Sequence, residues 1–229
     1  MEAIPWGKVS IEKLVSQLVE KFTDFSWNLY DGVKDEYPYE VTYLDCKLSR
    51  KMRSRFCMKD WEIFIKSSLK SEVDNLLQNF GSSISLWEET SSVNEFLEEF
   101  KTLLCNKLIT ASGWGVSKLT KVLHRKRPRL IPILDSKVQD VYCLRRMDLR
   151  GPQPQKRIER GIVTLQEFRK ELMHHLQEIQ KIAYLAHKAN PSIIPVELTP
   201  VRCLEALIYW RGLSFDFLFS SQPPANKLT

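Results

Sequence analysis

Apolar residues at Ile11, Leu14, Val15, Leu18, Val19 and Phe22 recur at intervals of three and four, which predicts an amphipathic helix over 10–23 with Ser10 as its N-cap. Residues 27–59 keep no such period. Tyr37-Pro38-Tyr39 breaks any helix, and Val41-Thr42-Tyr43 fits either a short strand or a helix start. The helical period returns at Trp61, Phe64, Ile65, Leu69, Val73, Leu76, Leu77 and Phe80, predicting one long helix stopped by Gly81. Ser92 and Glu95 have capping-box spacing, and Val93, Phe96, Leu97, Phe100, Leu104 and Leu108 supply a buried stripe behind them.

A break follows at 110–115, and then a short helical pattern of Val116, Leu119, Thr120 and Leu123. Pro128 and Pro132 bound a stretch that cannot be continuous helix, after which Asp135 is placed to cap a helix carrying Val138, Val141 and Tyr142. A Gly/Pro/Gln linker over 151–155 precedes a second capping box, Thr164 with Glu167. That box opens a long helix through Leu165, Phe168, Leu172, Leu176, Ile179 and Ala183. Thr199 as N-cap with Pro200 at the first position starts the last helix, which Gly212 ends, and the tail after Phe219 reads as a frayed terminus. About seven helices and little strand define an all-α helical bundle. It reads as a single domain over 1–229, or as two lobes, 24–145 with the central turn and 1–23 plus 160–229 as packing helices.

Composition fits this reading: 229 residues, 43% hydrophobic and 27% charged, suffice for a packed core. No apolar run reaches the roughly 20 residues of a membrane span, and Met1–Trp6 lacks the blocks of a secretory signal. Cys46, Cys57, Cys105, Cys143 and Cys203 form no CxxC pair, so they read as small buried apolar groups in a reducing compartment, cytoplasm or nucleoid (or nucleus). His124, His174, His175 and His187 do not share a helix face and fit solvent-facing or capping roles, so no metal is expected. The net charge of +6 is unevenly placed. Residues 118–160 hold thirteen Lys/Arg against four acids, an excess of nine, which leaves −3 for the remainder. Arg125-Lys126-Arg127 with Arg129 reads as a phosphate-contacting edge, although the run also has the look of a nuclear import signal.

The candidate chemistry lies in Ser112-Gly113-Trp114-Gly115-Val116-Ser117-Lys118. Two glycines around one residue allow a sharp turn with uncovered N–H groups, and the positive end of the helix from Val116 points at the same place. Such a turn is an anion site, with Lys118 and Lys121 flanking it; the alternative is a purely structural αα-turn. Trp114 either packs beneath the turn, the preferred reading, or presses on a sugar.

Residues 105–142 resemble the helix–hairpin–helix core of the HhH-GPD DNA glycosylase superfamily. Gly113-Trp114-Gly115, the helix from Val116 and Pro132-Ile133-Leu134-Asp135-Ser136-Lys137-Val138 stand in that family's order, with Asp135 twenty residues after Gly115. The stretch Lys121 to Ser136 and the segment Arg202–Gly212 also resemble the family DUF6308. The glycosylase resemblance implies a DNA-glycosylase-like, base-excision function with these roles. Asp135 faces the sugar of a flipped nucleotide and stabilises the developing cation or activates water. Ser117 occupies the nucleophile position, as in monofunctional members, with Lys118 one register away. Gly113, Trp114, Gly115, Val116, Ser117, Lys118, Lys121, Arg125, Lys126, Arg127 and Lys137 contact nucleic acid, expected to be double-stranded DNA. No cofactor is implied beyond a monovalent cation in the hairpin, and no membrane partner. Against the family pattern, Ala111-Ser112 replaces Leu-Pro, Trp114 replaces Val and the iron–sulfur cysteines are absent. Glu36 and Glu40 are only nominal second acids, more simply exposed loop acids. Asp135 serves equally as a helix cap, and the alternative function is a non-catalytic helix–hairpin–helix DNA-binding module.

Overall fold

The computed structural model describes residues 9–23, 25–33, 35–111, 114–143, 147–149, 153–194 and 198–211. Among them the regular elements are all helical: α1 (Ile11–Phe22), α2 (Phe25–Gly32), α3 (Tyr43–Ser49), α4 (Met58–Ile65), α5 (Ser68–Asn79), α6 (Ser91–Leu104), α7 (Lys107–Ala111), α8 (Gly115–Lys126), α9 (Ser136–Cys143), α10 (Pro154–His174), α11 (Leu176–Ala189) and α12 (Pro200–Arg211), with 3-10 turns at Arg50–Met52 and Met147–Leu149. The all-α class holds. Ser112, Gly113, the linker glycine and proline at 151–152, the stop at Gly212, the tail beyond it and Met1–Trp6 lie outside the described residues.

The caps explain where several helices begin. Ser10 accepts from the Lys13 amide, Asp135 from the Val138 amide and Thr199 from the Arg202 amide, as the residue types predict. Val41-Thr42-Tyr43 resolves as a helix start, because Asp45 reaches back to the Thr42 amide and hydroxyl at 2.8 Å.

Five expectations need correction. The long helix over 61–80 is two helices, α4 and α5, because the Ser67 hydroxyl donates to the Phe64 carbonyl at 2.7 Å and ends the first of them. The stripe through Leu108 breaks after Leu104, and Asn106 turns the chain by accepting from the Leu108 amide. The cap before it is Thr90 rather than Ser92. The helix expected from Thr164 starts ten residues earlier at Pro154, buries Thr164 in its middle and ends at His174, with α11 taking over. Prolines are at home in a first helical turn, so Pro154 opens α10 instead of marking a linker.

Nearly all the buried apolar residues form one cluster reaching from Leu14 on α1 to Ile208 on α12. Helix α1 packs on α11 and α12, α12 also on α9, while α8 is enclosed by α3, α7 and α10. Val116, Leu119, Thr120, Lys121, Val122, Leu123, His124 and Lys126 of α8 are all buried, so this helix has almost no solvent face. Cys46, Cys143 and Cys203 are buried as expected, but Cys57 and Cys105 are exposed.

Candidate nucleic-acid interface

The turn between α7 and α8 is anchored by Trp114. Its ring is fully buried, stacks on Phe64 at 4.5 Å, meets Phe56 edge-on at 5.2 Å and donates its indole N–H to the Asp60 carbonyl at 3.0 Å. Packing beneath the turn is thus its role. Gly115 follows with φ +47°, a left-handed conformation that glycine adopts without penalty. Lys118, one turn along, donates to Asp60 Oδ2 at 3.1 Å. Although burial opposes it, the Cys57 amide and Lys118 together hold Asp60 below the usual carboxylate range.

Beside Gly115 the start of α8 opens onto a cavity of about 250 Å³. Gly115, Val116 and Ser117 form one wall, Ser136, Gln139 and Asp140 of α9 a second, and Pro154, Arg157, Ile158 and Arg160 of α10 a third, with Ile109 behind. Neither Trp114 before α8 nor Gln153 before α10 supplies a side-chain cap, so among the described residues neither helix start has a side-chain N-cap for its first amides. Arg157 makes no ion pair among the described residues, and the Nε of Arg160 is buried without a partner. Asp140 is the single carboxylate on the lining. The arrangement can hold an anion that presents several acceptor oxygens.

Gly161 sets how closely α10 approaches this wall. A Cβ there would lie 2.9 Å from a methyl of Val116, so the absence of a side chain lets the two helices meet. Neither Arg157 nor Arg160 is named by the turn motif. Their signal in the sequence is their placement three apart, after a first-turn proline.

The basic run expected to edge a phosphate surface is turned inward. Arg125 donates to Asp45 Oδ1 at 3.3 Å and to the carbonyls of Tyr30 and Val33. Lys126 reaches Asp35 at 2.7 Å, Asp45 at 2.8 Å and the Tyr37 carbonyl. Arg127 caps the end of α5 by donating to the Leu77 and Phe80 carbonyls, and adds Pro38 at 2.7 Å. These three are corrected to structural cations, because α8 is enclosed and a buried charge must find partners. Lys121 is buried as well, its ammonium 4.0 Å from Asp135 Oδ2; burial lowers its pKa while Asp135 works the other way. Lys137 is exposed and lies over the Tyr209 ring at 4.4 Å. Glu36 and Glu40 are exposed loop acids.

Asp135 caps α9 through Oδ1 and does not line the cavity. Inward from it lies a group that residue patterning missed. Arg202 of α12 bridges Asp31 at 2.8 Å and Glu205, beneath the rings of Phe22 and Tyr30. Burial pushes Glu205 up to about 7, against the pull of Arg202, and its Oε1 has no hydrogen-bond partner. His124, expected at the surface, is buried nearby with Nδ1 on the Ile131 carbonyl and its pKa pushed down to about 3 by burial. Two opposite charges three apart within the apolar run 201–208 are the signal for this group.

The class these features define is an all-α protein with a basic cavity beside a tryptophan-anchored glycine turn. The chain belongs to the family of unknown function DUF6308, whose model matches residues 61–212 and so takes in the turn, the cavity and α12. No curated protein and no solved structure matches the chain. No helix among the described residues is long and apolar enough to cross a membrane.

Proposed function

We propose that this protein binds nucleic acid, gripping a backbone phosphate in the cavity beside Gly115. The observation that carries the reading is the convergence there of two helix starts and two arginines that, among the described residues, have no side-chain cap and no carboxylate in an ion pair, respectively. Amides at Gly115–Ser117, the hydroxyls of Ser117 and Ser136, and Arg157 with Arg160 supply the donors. The grip is therefore built from the turn and α10, and not from the 125–127 run.

Electrophoretic mobility shift at low salt tests it, with duplex and single-stranded DNA and RNA. The parent chain and a control reversal on α11, Lys188→Glu, retard the probe, whereas Arg157→Glu does not. Absence of any retarded species at low salt would overturn the reading.

Base excision at Asp135 is the second reading, in line with the glycosylase resemblance. One observation favours it: Oδ2 of Asp135 accepts no hydrogen bond among the described residues and faces only the Lys121 ammonium at 4.0 Å. A carboxylate oxygen so placed can support a developing cation. Base release from a panel of damaged duplexes, present in the parent and absent in Asp135→Asn with binding retained, supports this chemistry. Equal release by both proteins removes Asp135 from it.

A further inference from the structure

The shape and charge of the cavity narrow what kind of phosphate it takes, an inference that rests on the nucleic-acid reading above. Residues of α7, α8, α9 and α10 line a partly open space of about 250 Å³. That falls just below the roughly 300–1,000 Å³ of sites for drug-sized ligands. A phosphate with part of its sugar fits such a space, whereas a flipped nucleotide with its base asks for more. A phosphodiester within a strand needs room for two ester arms, which a partly open cavity gives less readily than an open groove. A terminal phosphate needs only one way in.

Charge points the same way. Arg157 and Arg160 against Asp140 leave one net positive charge on the lining. The starts of α8 and α10, twelve and twenty-one residues long, each add about half a positive charge. The sum is near +2. A phosphate monoester carries about −1.5 to −2 at neutral pH, a diester only −1. The monoester also has three free oxygens for the donors present, and Nε of Arg160 is already buried without a partner. Asp140, awkward beside a bare anion, has an acceptor role only toward a ribose, whose 2′-hydroxyl stays free within a strand, whereas a deoxyribose there has both oxygens esterified.

The geometry points to a pocket for the terminal phosphate monoester of a nucleic-acid strand, with Arg157 and Arg160 on the phosphate and, where the strand is RNA, Asp140 on the 2′-hydroxyl of the adjoining ribose. The protein would then recognise strand ends, such as those exposed at a nick, gap or cleaved strand, in preference to an unbroken backbone.

Fluorescence anisotropy on the full chain tests this, using one oligonucleotide in four forms: a 5′-phosphate, a 3′-phosphate, both hydroxyl ends, and a closed circle. A preference of at least about tenfold for one phosphorylated end over the hydroxyl form is expected, the worth of one charge-assisted hydrogen bond. The preference should disappear in Arg157→Gln, whose exposed side chain can be replaced without disturbing the core, and should be competed away by inorganic phosphate. Asp140→Asn should keep the discrimination between phosphate and hydroxyl ends. Equal affinity for all four forms overturns the end-specific inference and leaves backbone binding standing. Failure of every form to bind overturns the nucleic-acid reading itself. A nucleoside monophosphate that binds as tightly as the phosphorylated oligonucleotide makes the cavity a mononucleotide site, which also overturns recognition of strand ends.

Discussion

At the scale of single residues, the side chains that looked most like a nucleic-acid contact surface are those that hold the protein together. Arg127 ties the end of α5 to the loop between α2 and α3, and Lys126 is fully enclosed between Asp35 and Asp45. Removing one partner from such a group leaves a buried charge uncompensated. Arg127 is held by carbonyls, so Arg127→Ala instead leaves the Leu77, Phe80 and Pro38 acceptors unsatisfied at about 1–3 kcal/mol each, and should cost on the order of 3–5 kcal/mol in chemical denaturation. A loss of DNA affinity in that variant, with stability intact, would show that the assignment is wrong. Trp114→Ala opens a void between Phe56, Phe64 and Asp60 and should destabilise by a similar ~3–5 kcal/mol.

Glu205 gives a pH signature at the same scale. Its pKa is raised in the fold to about 7, so the folded chain holds a proton there that the unfolded chain has released. That favours the folded state below the unfolded carboxylate range and is lost as pH rises towards 7 and beyond. His124 acts in the opposite sense: its pKa near 3 in the fold means stability is lost as pH falls below about 6.5. Stability measured against pH for the parent and for Glu205→Gln separates the two. The parent should lose ground relative to the variant between pH 5 and 8. A constant difference would show that Glu205 does not titrate in this window.

At the scale of elements, the decisive contact is α10 against α8. Gly161→Ala places a methyl 2.9 Å from Val116. A helix-interior alanine should itself be favourable by up to about 1 kcal/mol, while overpacking costs about 1–3 kcal/mol. A net loss of stability is expected, relieved when Val116→Ala is added; thermal denaturation of the single and double variants measures it. Much of this layer was legible in the sequence: the all-α class, the caps at Ser10, Asp135 and Thr199, and the non-helical stretch between Pro128 and Pro132. Helix breaks at Ser67 and His175 were not, because an unbroken apolar period continues across both, and only a side-chain hydrogen bond or a change of backbone angle marks the join. Helix α8 misled for a different reason. Its pattern of apolar and basic positions is that of a surface helix, yet neighbours close over both faces. Its cations are neutralised by Asp35, Asp45 and Asp60, which lie 58 to 91 residues away in the chain. A one-dimensional pattern carries no trace of those partners.

At the scale of the whole molecule, the same pairing redraws the charge map. The excess of nine in residues 118–160 is an arithmetic fact of the chain, but acids from residues 35–60 stand against its first half. Among the described residues, Arg129 and Lys137 also keep part of that excess exposed, and the part beside the turn is Arg157 and Arg160 of α10. The turn seen in the sequence is thus one wall of the site, and its counterpart, Arg157 and Arg160, comes from a helix that a glycine brings close.

The most direct measurement is the salt dependence of DNA affinity for the parent and for Arg157→Gln/Arg160→Gln. Parent binding should weaken steeply, with log affinity falling linearly in log salt. The double variant should bind more weakly and lose about one to two units of slope as its phosphate contacts disappear. Identical slopes and affinities in the two proteins would contradict the account.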